Sequence, residues 1–445
     1  MELIKRLKGK LTSFQIIILG FAGVILLGAL LLMLPIASTE HVVTTFNKTL
    51  FTSTSAVCVT GLVLVDTASY WTGFGQAVIL ILIQIGGLGV ITFVSLMLML
   101  LGEKISLVQR QTMQNALSLP QLGGIVKLTK FIIRAVAIVE LAGALLLMPV
   151  FCKDYGLEGI WMSVFHSISA FCNAGFDLMG TKTGHFSSLT YYQGNLYLSV
   201  VIALLIIIGG LGFLTWNDIA TKRFKFKEYR MQSKVILVTT LLLIMVPGVI
   251  LFFGEYKNLP IVERIASTIF QAVTPRTAGF NTADYASMSS GGLMITMILM
   301  LIGGSPGSTA GGMKTTTIAV LIANARATFT KKNNAKYFGR RIDDAIIKNA
   351  ATIFFMYIAL AFIGALLISG IENLDLSTCM FESISAIGTV GLTRGITPDL
   401  GIISQIILML LMFFGRVGGL TLIYAAFSRQ DSFSSKLPVE NIMIG

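Results

Sequence analysis

Phe51 to Leu62 reads FTSTSAVCVTGL, and variants of it return as FHSISAFCNAGF (Phe165 to Phe176), IFQAVTPRTAGF (Ile269 to Phe280) and FESISAIGTVGL (Phe381 to Leu392). Three of the four obey F-x-S-x-S-A-x-x-x-x-G and close on Gly61, Gly175 and Gly391, while the third keeps Gly279 behind a degenerate lead-in. Successive glycines lie 114, 104 and 112 residues apart, so the unit of repetition is a whole helical hairpin and not a solenoid turn. Each copy sits between two apolar runs of membrane length. Four near-equal elements in one chain predict fourfold pseudosymmetry.

Composition sets the solvent. Of 445 residues, 55% are hydrophobic and 12% charged, and the mean hydropathy is +0.83, which describes an all-α polytopic membrane protein. Phe14 to Leu34 is close to the ~20 residues needed to span hydrocarbon and reads as a retained first helix. The chain then makes four passes of helix, pore loop and helix (M1-P-M2) around one central pore. The repeats are expected at 14–102, 131–220, 235–322 and 346–427, between a cytoplasmic N-terminus at 1–13 and a cytoplasmic tail at 428–445. Second spans are expected at 73–101, 194–215, 291–321 and 401–427. Pro35, Pro149 and Pro247 are expected at or near the ends of first helices, because proline interrupts the hydrogen-bond ladder.

Orientation follows from the basic residues. Segments 1–13, 102–134, 220–234, 322–348 and 428–445 hold 24 of the 33 Lys and Arg, against seven on the side where the loops re-enter. Both termini are therefore expected in the cytoplasm. Twelve of the 21 carboxylates, among them Glu40, Asp66, Asp177, Asp284 and Asp399, fall on the outer side, where they would concentrate cations at the mouth. The net charge of +12 is thus explained by topology, and no nucleic-acid partner is expected.

Each helical piece before a repeated glycine is about ten residues long, which at about 1.5 Å per residue reaches only half-way through a bilayer. Backbone ending at that depth must be buried in protein or line a wet cavity. Four such ends would aim negative dipole poles at one point and favour a cation. The strands that follow are expected to run extended, with carbonyl oxygens toward the axis. Their last residues form the candidate potassium filter: Val59, Thr60, Gly61; Asn173, Ala174, Gly175; Thr277, Ala278, Gly279; and Thr389, Val390, Gly391. Rings of carbonyls can replace the hydration shell of a monovalent cation, and no strand holds the carboxylate that Mg²⁺ or Ca²⁺ would call for. The bound ion is expected to be K⁺, at the filter glycines.

Second helices carry glycine pairs: Ile85-Gly86-Gly87-Leu88-Gly89, Ile208-Gly209-Gly210-Leu211-Gly212, Ile302-Gly303-Gly304 and Val417-Gly418-Gly419-Leu420. Copies one, two and four read as close helix packing. Copy three differs: Gly303, Gly304, Ser305, Pro306, Gly307, Ser308, Thr309, Ala310, Gly311 and Gly312 run consecutively, and no stable helix survives that composition. The segment is expected to lie under the filter as a movable gate. Lys314 just beyond it and Arg416 in the last apolar run complete the gate, since a charge at membrane depth needs a cavity or a partner. Loop carbonyls or hydroxyls are the partners expected for Arg416, with Glu140 a candidate if geometry allows.

Over essentially the whole chain these features resemble the membrane subunit of the Trk/Ktr/HKT superfamily of potassium transporters, and most of all the bacterial Ktr type. One glycine per loop is that family's filter pattern, and a serine in place of the first-loop glycine accompanies sodium preference in plant members. Gly61 at that position therefore implies potassium. The resemblance also implies that the intramembrane loop is the gate, that transport is sodium-dependent, and that the protein is a homodimer in the plasma membrane of a bacterium. It further implies regulation by a cytosolic nucleotide-binding ring, the KtrA-like subunit. Loops 220–234 and 322–341 with the tail after Arg429 are the expected docking surface. Membrane lipids are the remaining partners.

No catalytic residues are expected. The chain has no G-x-x-x-x-G-K-[ST] loop, its histidines (His41, His166, His185) are scattered, and Cys58, Cys152, Cys172 and Cys379 read as small buried thiols without metal-type spacing. The ions are potassium, which is transported, and sodium; no organic cofactor is expected. Two other functions fit the same pattern: a sodium or ammonium transporter of this architecture, and a non-transporting membrane scaffold.

Overall fold

The computed structural model describes residues 12–90, 92, 93, 107–116, 124–223, 225–419 and 421. The N-terminal stretch up to residue 11, much of the expected second span of repeat one beyond residue 90, and the tail 428–445 lie outside the described residues. Each repeat opens on a long apolar helix, followed by a shorter re-entrant one and a second apolar helix. Repeat one contributes α1 (Ser13–Leu32), α2 (Phe46–Cys58) and α3 (Gly73–Leu88). Repeat two contributes α4 (Ile125–Tyr155), α5 (Glu158–Phe171), α6 (Leu196–Gly210) and α7 (Phe213–Lys222). Repeat three supplies α8 (Met231–Phe253), α9 (Ile261–Val273), α10 (Ser290–Leu301) and α11 (Thr315–Phe329), and repeat four α12 (Asp344–Glu372), α13 (Leu376–Gly388) and α14 (Ile402–Val417). A two-stranded hairpin, β1 (Lys336–Tyr337) with β2 (Arg340–Arg341), joins α11 to α12.

The first helices α1, α4, α8 and α12 are long and apolar enough to cross a membrane. Their outward faces are leucine-rich and bare, with Leu27, Leu141 and Leu241 each about 60% exposed, as expected where lipid replaces water. The sequence also explains how they start. Thr12 and Gln15 form a reciprocal cap on α1, and the Asp343 carboxylate accepts the Ala345 N–H at the start of α12.

The second helices are not continuous spans. α3, α6, α10 and α14 run only 16, 15, 12 and 16 residues. Three of them break at a glycine in one shared conformation: Gly89 (φ 83, ψ 131), Gly212 (φ 86, ψ 141) and Gly418 (φ 89, ψ 132). Only glycine reaches that region without strain. After the break at Gly212 the chain turns by 97° into α7. Pro149 and Pro247 lie in the last two turns of α4 and α8, near their ends, with the helices continuing past them.

The re-entrant helix packs into a notch on its own first helix. A Cβ on Gly28, Gly143 or Gly364 would stand 2.4 Å from the Oγ of Ser53, Ser167 or Ser383. Those are the first serines of F-x-S-x-S-A. Ser53 donates to the Ile25 carbonyl at 2.7 Å and Ser167 to that of Glu140 at 2.6 Å. Repeat three has Ala272 facing Gly248 at a looser 3.8 Å.

Candidate functional site

The four re-entrant helices end at one place. A methyl on Gly61 would lie 2.5 Å from the Ala174 carbonyl oxygen and 3.2 Å from the Gly175 Cα. One on Gly175 would meet the Ala278 oxygen and the Gly279 Cα, both at 2.8 Å; on Gly279, the Val390 oxygen at 2.3 Å and the Gly391 Cα at 3.3 Å. On Gly391 it would meet the Thr60 oxygen at 2.1 Å and the Gly61 Cα at 3.0 Å, which closes the circuit. Gly61, Gly175, Gly279 and Gly391 thus touch in cyclic order, with φ of 92°, 69°, 79° and 93°.

The strands leading into this ring are not extended. Two residues before each glycine, Val59, Asn173, Thr277 and Thr389 have φ of 56°, 60°, 70° and 50°. Left-handed backbone is rare for any residue with a Cβ and is an outlier for β-branched Val59, Thr277 and Thr389. Such strain persists only where the surroundings impose it. Here they do so through the second serine of the motif. Ser55 and Ser385 hydroxyls accept the Gly61 and Gly391 N–H at 3.0 and 3.1 Å, and Ser169 donates to the Phe176 carbonyl at 2.7 Å.

The degenerate third copy is a one-residue shortening. Thr274 plays the serine's part, donating to the Phe280 carbonyl at 2.6 Å, and its carbonyl accepts from the Ala278 N–H. Thr274 precedes its glycine by five residues where Ser55, Ser169 and Ser385 precede theirs by six. Phe270, and not Ile269, therefore matches Phe51, Phe165 and Phe381, all at most 1% exposed.

Under strands three and four lies the irregular segment 303–312. Added methyls on Gly303, Gly311 and Gly312 would meet Thr277 Cγ2 (3.1 Å), Thr389 Oγ1 (2.1 Å) and the Gly388 oxygen (2.6 Å). Its backbone is satisfied by neighbouring repeats: Ser305 N–H donates to Gly210 O (3.0 Å), Thr309 N–H to Gly209 O (3.3 Å) and Gly312 N–H to Gly415 O (3.2 Å). In return the Gly307 oxygen accepts from Phe213 N–H at 2.7 Å, and Thr309 Oγ1 donates to Phe171 O at 3.0 Å. Ser305 Oγ pairs with Thr315 Oγ1 at the start of α11 at 3.2 Å, and within the segment Ser308 Oγ donates to Ser305 O. Gly304 and Ala310 are packed side by side, and Pro306 is half-buried.

Both cations grip this segment. Lys314 Nζ donates to the carbonyls of Ala310 (2.8 Å) and Gly311 (3.2 Å). Arg416 Nη1 donates to Thr309 O, and Nη2 to Gly86 O and to Gly87 O (3.1 Å). The arginine thus staples the third-repeat loop to the break in α3. Glu140 is not its partner; that carboxylate lies beside Gln84 and Cys172.

The register of the fourth copy also shifts. Added methyls on Gly86, Gly209 and Gly415 would each stand 2.0–2.1 Å from a carbonyl oxygen at the end of a re-entrant helix (Val57, Phe171, Ile387). Gly415 is therefore the counterpart of Gly86 and Gly209, and Gly418 that of Gly89 and Gly212. Arg416 occupies the position that is Gly87 and Gly210 elsewhere. Below lies a cavity of about 710 Å³ lined by Pro306, Ser308, Lys314, Arg341 and Arg416 among others. The braces Ser55, Ser169 and Ser385 were visible in the motif and Thr274 was not, yet nothing short of the fold shows what any of them holds.

Four pore loops of one chain that meet in a ring above an intramembrane loop define a multi-pass membrane transport protein of the pore-loop class. The chain belongs to the TrkH family: that family's profile, described as cation transport protein, matches residues 10–436. It is 41% identical to the potassium/sodium uptake protein NtpJ of Enterococcus hirae, over 99% of both chains. It is 38% identical to the Ktr system potassium uptake protein B of Bacillus subtilis, over 98% of this chain and 97% of that one. The crystal structure of the potassium transporter TrkH from Vibrio parahaemolyticus superposes with a TM-score of 0.73 at 18% identity, covering 92% of this chain and 83% of that one. That likeness shows the fold.

Proposed function

We propose that this protein takes up potassium across a bacterial plasma membrane through the glycine ring, with segment 303–312 as its gate. The observation that carries the reading is the closed circuit of Gly61, Gly175, Gly279 and Gly391, fed by four helix C-termini whose dipole ends favour a cation. Backbone oxygens of Val59 to Gly61, Asn173 to Gly175, Thr277 to Gly279 and Thr389 to Gly391 stand in for water around K⁺. One glycine per strand makes a short filter. Arg416 and Lys314, bonded to loop carbonyls, hold the gate closed and repel cations until they move.

Sodium acts as the second ion in this reading. A relative named for potassium and sodium uptake at 41% identity supports it, and so keeps sodium carriage as the second reading. The names of the Ktr-system relatives support a KtrA-like ring as regulator. It would dock on the basic loops 220–234 and 322–341 of a homodimer, with both termini cytoplasmic. The test is rubidium uptake by the purified protein in liposomes, with sodium, ammonium and potassium as competitors. Preference for potassium is expected; sodium or ammonium outcompeting it, or no flux with or without a ring, overturns the proposal.

A further inference from the structure

Each re-entrant helix carries a polar residue directly after its buried phenylalanine: Thr52, His166, Gln271 and Glu382, each at most 1% exposed. Three of them reach behind the ring to the strand leaving it. Glu382 Oε1 accepts from Thr393 Oγ1 (2.6 Å) and Arg394 N–H (2.8 Å), and its Oε2 from Thr397 Oγ1 (2.8 Å). Gln271 Nε2 donates to Thr282 Oγ1 at 3.3 Å, and Oε1 accepts from the Tyr285 hydroxyl. His166 Nδ1 pairs with its own helix at Met162 O (2.7 Å), leaving Nε2 to accept the Leu178 N–H at 3.4 Å. Their first targets lie two or three residues past Gly391, Gly279 and Gly175. Thr52 does otherwise: its hydroxyl turns back to Lys48 O at 2.9 Å. Its outgoing strand offers only apolar side chains, those of Leu62, Val63, Leu64 and Val65, and the short threonine does not reach their backbone.

We propose that His166, Gln271 and Glu382 are positioning residues of the ion-binding ring, and that repeat one, which has no such latch, is its compliant wall. The inference rests on the ring being the filter. A strand that carries ion-facing carbonyls keeps their spacing only if tied on both sides of its glycine. In repeats two to four the motif hydroxyl ties it at or beside the glycine, and the latch ties it a few residues on. In repeat one only Ser55 acts, on the Gly61 N–H. Buried polar partners are costly to break singly, so three sides of the ring resist collapse onto a smaller ion and the fourth yields.

The test uses the full chain in liposomes and reads rubidium uptake against inhibition by sodium. Glu382→Leu and Gln271→Leu are expected to lower the preference for rubidium over sodium by roughly fivefold. Glu382→Gln, which keeps an acceptor toward Thr393 and Arg394 as Gln271 does natively toward Tyr285, should stay within about twofold of wild type. Thr52→Gln combined with Val63→Thr transplants a latch into repeat one and should raise the preference. Unchanged preference in both leucine variants, or loss in Glu382→Gln as large as in Glu382→Leu, overturns the proposal. If Glu382→Leu does not fold, Gln271→Leu and the transplant decide. Gly391→Ala is run alongside: if it discriminates like wild type the ring reading itself fails, whereas its loss beside unaffected latch variants sinks only the latch.

Discussion

Replacing Gly391 with alanine puts a methyl group in place of a hydrogen at the tightest point of the ring. The new Cβ would sit 2.1 Å from the Thr60 oxygen and 3.0 Å from the Gly61 Cα. Relieving that clash requires the fourth strand or the Thr60 carbonyl to shift by about 1 Å, enough to forfeit much of an interatomic contact. The backbone adds its own cost, since φ at Gly391 is 93° and a residue with a Cβ held there is strained by about 1–3 kcal/mol, or roughly five- to 150-fold in the population of the native ring. Rubidium uptake in liposomes, competed with sodium, is therefore expected to lose its discrimination by at least roughly fivefold. The same reasoning ranks the ring: Gly391, Gly279, Gly61 and Gly175, with nearest approaches of 2.1, 2.3, 2.5 and 2.8 Å, should be damaged by alanine in that order. Gly23→Ala and Gly370→Ala are the controls, because nothing lies within 4 Å of either added methyl and helical alanine is favoured by about 0.5–1 kcal/mol. A folded Gly391→Ala protein with wild-type flux and discrimination would refute the argument.

Arg416→Ala removes the donors to Thr309 O, Gly86 O and Gly87 O; charge-assisted bonds are worth about 1.5–3 kcal/mol, so rubidium flux without a partner should rise at least roughly tenfold. An unchanged flux in a folded variant counts against the gate. Asp177, in the loop two residues past Gly175, has its carboxyl pushed up to about 6 by burial, with the nearby Asp66 carboxylate adding to the rise and the Met179 N–H opposing it. Its charged form is thus disfavoured in the fold, a penalty present in full above pH 6 and lost as pH falls toward the ordinary carboxylate range. Asp177→Asn should melt higher than wild type at pH 7.5 and lose that advantage near pH 4; an equal difference at both pH values would show that titration plays no part.

Much of this organisation was legible because it is written in local chemistry. Apolar runs of membrane length, four motif copies at near-equal spacing, and a glycine-rich segment that no helix tolerates each announce a backbone state without reference to the rest of the chain. What escaped was register. A one-residue shortening before Gly279 looked like a decayed motif, because the role of Ser55, Ser169 and Ser385 passes to Thr274, which lies off the pattern. The pair Gly418-Gly419 drew the fourth copy three residues out of line, since Gly415 alone among its counterparts is followed by an arginine. Positive φ at Val59, Thr277 and Thr389 ran against the preferences of β-branched residues, and no single-residue rule predicts it.

From the residues alone came the four copies of the re-entrant motif, the long apolar helix that opens each repeat and the place where the third repeat unwinds, since helix length and helix breaking are decided within a few turns of chain. The tertiary structure alone decided that the four glycines close on one another in order, that Ser55 and Ser385 brace what they brace, and that Arg416 reaches carbonyls some 330 positions away in sequence. Those contacts join groups whose proximity is set by the packing of four hairpins against each other, and packing has no signature in any one stretch of chain.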